Sequence, residues 1–454
     1  MKFSHVIVNY HIFLKMYLLT KINLNQRNYF SFILAIFPLS FIAGNMIVNI
    51  NALLIIVSAL IFFKFSIFKI KLFLLDKLII IYFFLILFTA ISNDYYFFTE
   101  KIAWKGYFAT TEKSIFFLRY LLLYFVLRFL IEKDFINLKF FFIISGFSVL
   151  FVSFDIFFQF FNGKDIFGFT SQGLKLSGPF GDELIAGGFI QRFSLFAFFL
   201  VPIFFNNHNL NKYNKYLIPI LFVIFFSSLV LSGNRMPTLL FLFSIFLILI
   251  FQKNTRKFLL PFIIIFSIIF SILFKSNELI RNNFLNLYGT VSIITKLTIE
   301  KDFFNKNSPQ YLKEFTTFYH TWLMNKYIGG GIKNFRYYCH YRPAIEKNTK
   351  FICNMHPHNY YLEILTETGI VGLIIITLIF LNIIFLSLIK KYFFSSNLKK
   401  NNLIIPFIFL FLAEIFPLKS TGSFFTTGNT TYLFLILGIM IGLVRRYNSI
   451  ENKI

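Results

Sequence analysis

Long apolar runs broken by short polar clusters dominate the chain. Twelve stretches approach the roughly 20 apolar residues that a helix needs to cross a bilayer. They lie near 29–45, 47–63, 78–93, 114–130, 140–162, 183–205, 216–233, 236–252, 258–274, 364–388, 403–418 and 429–444. The pattern predicts an all-α polytopic membrane protein with about 12 transmembrane helices and one large polar loop. It divides the chain into an N-terminal transmembrane region of about nine helices (1–275), the loop (276–362) and a C-terminal region of about three helices (363–454). The first 28 residues carry Lys2, Lys15, Lys21 and Arg27 with no small-residue cleavage site. They read as a short interfacial helix rather than a signal peptide.

Composition agrees with this picture. The chain is 57% hydrophobic and 14% charged, with a mean hydropathy of +0.72, whereas a soluble domain carries about 25% charged residues. The 72 Phe residues look like the usage of an AT-rich genome and carry no functional reading. A net charge of +25 on a soluble chain would suggest nucleic acid. Here it is assigned to loops, and no nucleic-acid partner is expected. Placing both termini in the cytoplasm collects Lys64, Lys69, Lys71, Lys77, Arg128, Lys133, Lys139, Lys212, Lys215, Lys253, Arg256, Lys257, Lys390, Lys391, Arg445 and Arg446 on the inner side, as the positive-inside rule requires. The short outer segments keep only Lys101, Lys105, Lys113, Lys164, Lys175, Arg235 and Lys419.

The large loop then lies on the far side. It holds four of the seven histidines and both cysteines, and its Lys and Arg outnumber its Asp and Glu. A basic exported face suits an anionic partner, and equally a solubilising surface. In an oxidising compartment Cys339 and Cys353 read most simply as a disulfide. The competing reading is a metal site from Cys339, His340, Cys353, His356 and His358, whose spacing fits no common zinc pattern. No metal is expected.

Arginines inside apolar stretches are functional by default. Arg119 lies about five residues into the fourth span. Arg192 lies about nine into the sixth, roughly 13 Å deep at 1.5 Å per residue. Arg235 sits in the turn "SGNRMPTLL" between the seventh and eighth. With Lys175 in "LKLSGPFGDELIAGG" they outline a cationic pocket suited to phosphate oxygens. The plainer readings are snorkelling of Arg119 to the interface and a buried pair between Arg192 and Asp182 or Glu183.

Four stretches carry a resemblance. His358-Asn359, then nine residues, then Gly369-x-x-Gly372 is similar to the H-[NSQ]-x9-G-x-x-[GTY] pattern of bacterial O-antigen ligases, and Arg235-x-x-x-Leu239 to their R-x3-L pattern. "NKYIGGGIKNF" resembles a glycine-rich loop segment of the same family, which is related to O-antigen polymerases. "LKLSGPFGDELIAGG" is similar to the segment before the family's middle helices, where the form R/K-x-S-G-x-F is common.

The resemblance implies a glycosyltransferase in the bacterial inner membrane with its active site facing the periplasm. It implies transfer of a polysaccharide from undecaprenyl pyrophosphate to a sugar hydroxyl of the lipid A core, among membrane lipids. His358 would act as general base, since an ordinary histidine titrates near 6.5. Arg235, Arg192 and Arg119 would hold the pyrophosphate, with Lys175, Asn359, His356, Asp182 and Glu183 as further substrate contacts. No cofactor, metal or ATP is implied, and the chain has no G-x-x-x-x-G-K-[ST] stretch. An O-antigen or capsular polysaccharide polymerase uses the same chemistry on a glycan acceptor. A lipid or solute transporter is the alternative of another class, but no internal repeat of the kind common in transporters is visible.

Overall fold

The computed structural model describes residues 26–99, 108–170, 175–204, 208–252, 259–276, 310–339, 355–393 and 402–451, together with Cys353 and scattered positions between 278 and 293. It is mostly helical (81%) and has no strand among the described residues. The helices are α1 (26–35), α2 (Phe37–Ala43), α3 (Asn45–Phe63), α4 (Leu74–Thr99), α5 (Ala109–Phe117), α6 (Arg119–Glu132), α7 (Leu138–Asn162), α8 (Ala186–Phe204), α9 (His208–Leu231), α10 (Arg235–Phe251), α11 (Leu259–Ser276), α12 (Gln310–Trp322), α13 (Phe335–Tyr338), α14 (Tyr360–Ile384), α15 (Ile405–Glu414) and α16 (Thr427–Glu451).

Helical residues occur in each of the twelve predicted stretches, but their lengths differ from the expectation. Among the described residues, seven helical segments are long and apolar enough to cross a membrane, or eight if the bent pair at 260–286 is one span. The first predicted stretch is broken at Ile36, where Pro38 supplies no backbone donor for a continuous ladder. The predicted span at 403–418 contains only the ten residues of α15, about 15 Å of helix. The proposed interfacial helix lies largely outside the described residues.

Packing joins distant parts of the chain. α16 lies along α6, α7 along α8, and α14 along α4. Glycine permits the closest of these approaches: a Cβ on Gly438 would come within 2.8 Å of the Leu127 side chain. Small residues at membrane helix contacts serve this purpose.

The two ends of the bundle differ in chemistry. At one end Asp134 accepts from Arg27 at 2.9 Å and from Arg446 at 2.8 Å. The earliest described segment and the last helix therefore meet on one side. Nearby, the fully buried Arg128 pairs with Asp76 and donates to the Lys71 carbonyl at 2.8 Å. α6 runs from this end to Arg119, and α16 runs from it to Asn429. The histidine segment lies at that opposite end.

Candidate functional site

The first turn of α14 organises the site. Asn359 is its N-cap: its side-chain oxygen accepts from the N–H groups of Tyr361 and Leu362 at 3.0 and 3.1 Å. Such a cap satisfies donors that a helix start otherwise leaves open. The amide nitrogen of the same side chain donates to the Pro417 and Lys419 carbonyls at 2.8 and 3.2 Å. Asn359 therefore joins α14 to the turn after α15. His358 precedes the cap with φ +56°, a left-handed conformation uncommon for a residue with a Cβ. Strain of this kind persists where the surroundings fix the backbone, and it clusters at functional sites.

His356 and His358 face each other edge to face, with ring centroids 4.5 Å apart. Burial, with the nearby His358 and Lys333, lowers the His356 pKa to about 4, so this ring is neutral at neutral pH. Lys333 is half-buried, and burial lowers its pKa against the pull of Glu367 and Glu363. Both carboxylates lie on the inner face of α14, one turn apart. Glu363 accepts from the Ser423 hydroxyl at 2.5 Å and the Phe424 N–H at 2.6 Å.

Two turns further on, α14 is broken at Gly369, whose φ is +68°. In an unbroken helix the N–H groups of Ile370 and Val371 would bond to the Thr366 and Glu367 carbonyls. Here they donate to Lys326 and Tyr327 at 2.9 and 3.2 Å. The freed carbonyls accept from Gly330 and Gly331 at 3.0 and 2.9 Å. The segment 326–331 thus takes the place of two helical rungs. The approach is close enough that a Cβ on Gly369 would sit 2.1 Å from the Tyr327 oxygen, and one on Gly329 would sit 2.5 Å from the Thr368 nitrogen. This contact explains both the glycine run and the first glycine of the histidine motif. Asn93 of α4 adds a bond to the Gly329 carbonyl at 3.0 Å.

Arg192 meets a partner that the sequence reading did not name. Its Nη2 and Nε donate to the two oxygens of Glu414 at 2.7 and 3.2 Å, and Nη2 also donates to Asn429 at 2.7 Å. The alternative reading of a pair with Asp182 or Glu183 is not what holds it. Those two are exposed and precede α8, whereas Arg192 lies within it, facing α15. α8 begins at Ala186, so Arg192 is about 9 Å along the helix, shallower than the sequence suggested. Glu414 also accepts from Lys419 at 2.6 Å and from the Tyr360 hydroxyl at 2.5 Å. Burial brings the Lys419 pKa down to about 8, with Glu414 opposing that shift.

The remaining predicted cations lie on several elements around the site. Lys175 and Arg235 border the turn that packs on the start of α8, the helix that carries Arg192. The Leu176 N–H donates to the Ser232 carbonyl at 3.3 Å. Gly187, near the start of α8, packs so closely on Ser232 and Asn234 that a Cβ there would sit 2.6 Å from Asn234. Arg235, half-buried, opens α10 directly after that turn. Arg119 lies near Lys333. It stacks on Tyr120 at 4.4 Å and reaches back to the Phe116 carbonyl at 2.7 Å. Lys113 and Arg336 share the Tyr337 ring at 5.6 and 5.4 Å.

Cys339 and Cys353 are joined in a disulfide with Cα atoms 5.9 Å apart. It packs against the stacked rings of Phe318 and Phe335, 3.4 Å apart. Bonded sulfurs are not thiolate ligands, so the alternative metal set loses two members. Its His340 lies outside the described residues.

Residues 220–377 match the family model described as O-antigen ligase. The chain carries a domain of the O-antigen ligase family. The matched segment includes Arg235, the glycine run, the disulfide, the histidine pair and the break at Gly369, and it supports a ligase- or polymerase-like function in a multi-pass membrane protein. No curated protein matches the chain.

The sequence reading missed Glu414, Tyr360, Lys333 and the structural part played by Lys419. A signal existed for Glu414: it is the acid in the apolar run "IIPFIFLFLAEIFP", and a charge there needs a partner. Lys333 and Tyr360 carry no comparable mark, because only the folded loop brings them to the site.

Proposed function

We propose that the chain transfers a polysaccharide from undecaprenyl pyrophosphate to a sugar hydroxyl of the lipid A core, at the periplasmic face of a bacterial inner membrane. Both termini are cytoplasmic in this reading, and the histidine end of the bundle is periplasmic. The observation that carries it is the histidine pair at the capped start of α14, tied through Asn359 and Lys419 to the Arg192–Glu414 pair.

In the reaction the acceptor oxygen bonds to the anomeric carbon of the donor sugar. The bond from that carbon to the pyrophosphate oxygen breaks, and undecaprenyl pyrophosphate leaves. The hydroxyl proton passes to His358, assistance typically worth about 10²–10⁴-fold in rate. Arg235, Arg192 and Lys175 offset the charge that grows on the leaving oxygen. The His356 ring, neutral at neutral pH, adds no positive charge to discourage proton uptake by its neighbour. Arg119, with Lys333, Lys113 and Arg336, offers further cationic groups suited to an anionic acceptor. Asp182 and Glu183 lie at the rim as acceptor contacts. The step consumes no ATP and requires no metal in this scheme.

The test is deletion of the gene followed by analysis of the lipopolysaccharide and of the lipid-linked glycans. Loss of a ligase leaves free core and accumulated lipid-linked polymer. Core capped with a single repeat unit would instead identify a polymerase, and unaltered lipopolysaccharide would contradict both.

A further inference from the structure

Glu414 ends the apolar helix α15 and is buried. Its Oε1 receives Arg192 Nη2 at 2.7 Å, Lys419 Nζ at 2.6 Å and the Tyr360 hydroxyl at 2.5 Å, while its Oε2 receives Arg192 Nε at 3.2 Å. A carboxylate offers about four acceptor sites, and four hydrogen bonds converge on this one, three of them on Oε1. The donors come from α8, from the first residue of α14 and from the turn after α15. That turn is fixed a second time: the Tyr361 hydroxyl donates to the Ile415 carbonyl at 2.5 Å, and Asn359 donates to Pro417 and Lys419.

The consequence for Arg192 is directional. Nε and both Nη2 hydrogens point inward, to Glu414 and Asn429. Nη1 makes no hydrogen bond among the described residues, and the side chain keeps 15% exposure. The guanidinium therefore presents one fixed edge. Burying a charge pair adds little stability over a well-packed apolar pair, so stability alone gives weak reason for this arrangement.

We propose that Glu414 is a positioning residue. It fixes the orientation of Arg192 and, through Tyr360 and the 415–419 turn, keeps that guanidinium in register with the His358–Asn359 segment. The proposal rests on the reading of Arg192 as a pyrophosphate ligand.

The experiment uses the full chain in membranes or detergent, with inorganic pyrophosphate as the inhibitory probe in the transfer assay. Glu414→Gln should raise the inhibition constant of pyrophosphate and the donor KM by about tenfold or more, the worth of a charge-assisted contact, with a smaller change in kcat. Glu414→Asp keeps the charge with a shorter reach and should fall between; it also serves if Glu414→Gln does not fold. Arg192→Ala should weaken pyrophosphate at least as much, and adding Glu414→Gln to it should cost nothing further, because residues acting through one contact are not additive. Independent, additive losses would overturn the proposal. So would Glu414 variants that lose thermal stability while binding pyrophosphate normally. If Arg192→Ala leaves pyrophosphate inhibition unchanged, the donor-site reading itself fails and the proposal with it.

Discussion

Arg192 and Glu414 lie 222 residues apart in the chain and meet through two hydrogen bonds of 2.7 and 3.2 Å. Neither helix could carry its charge into an apolar bundle alone. Together they join α8 to α15, and Tyr360 and Lys419 extend the joint to the start of α14. A site for a lipid-linked substrate and a soluble-facing sugar needs such a frame, because its groups come from helices far apart in sequence.

Arg235 opens α10 in the turn packed on α8. Arg235→Ala should raise the donor KM by about ten- to a hundredfold, as expected for loss of a charge-assisted contact. Arg235→Lys should recover only part of this, since an ammonium has the charge without the planar fork. Steady-state kinetics with purified donor measure both. Full activity of the lysine variant would show that charge alone matters there.

Gly369→Ala should destabilise the protein or prevent its accumulation. A Cβ would lie 2.1 Å from the Tyr327 oxygen, and the backbone at φ +68°, ψ −173°, a conformation kept almost entirely for glycine, adds about 1–3 kcal/mol. Gly188, whose Cβ would meet nothing within 4 Å, is the comparison site. A Gly369→Ala protein as stable as Gly188→Ala would show that the 326–331 segment yields easily.

Acid should loosen the histidine turn. His356 is held near pKa 4 in the folded protein against an ordinary value of about 6.5. Between those values the unfolded chain binds more protons, so stability rises with pH across the window. The contribution is complete above about 6.5 and is lost as pH falls toward 4. Thermal midpoints at pH 7 and 5 should fall further for the wild type than for His356→Gln. Equal losses would place the acid sensitivity elsewhere.

Topology and disulfide can be tested together. Reporter fusions after residue 340 should read as periplasmic and those after 255 and 395 as cytoplasmic. Thiol labelling of denatured, unreduced protein should find neither Cys339 nor Cys353. A cytoplasmic signal at 340 would remove the oxidising compartment on which both expectations rest.

Much of this architecture is written in local sequence. Apolar runs mark the helices, and the motif from His358 to Gly372 marks where the loop ends and the next helix begins; the cap at Asn359 and the break at Gly369 emerge only in the fold. The limits are physical. Hydropathy reports burial without distinguishing protein from lipid, so it does not separate the short α15 from a full span. Charge partners are fixed by tertiary packing: Asp182 and Glu183 are near Arg192 in sequence, yet Glu414 is its neighbour in space.

The most direct measurement is transfer from purified lipid-linked polysaccharide to lipid A core by His358→Asn and His358→Ala proteins of verified yield and membrane insertion. Asparagine accepts the left-handed backbone found at His358, so it removes the imidazole with little change in the turn. A general base is typically worth about 10²–10⁴-fold, and both variants should lose transfer to that extent while donor KM changes little. Near-normal transfer by His358→Asn would contradict the assignment of His358 as the base.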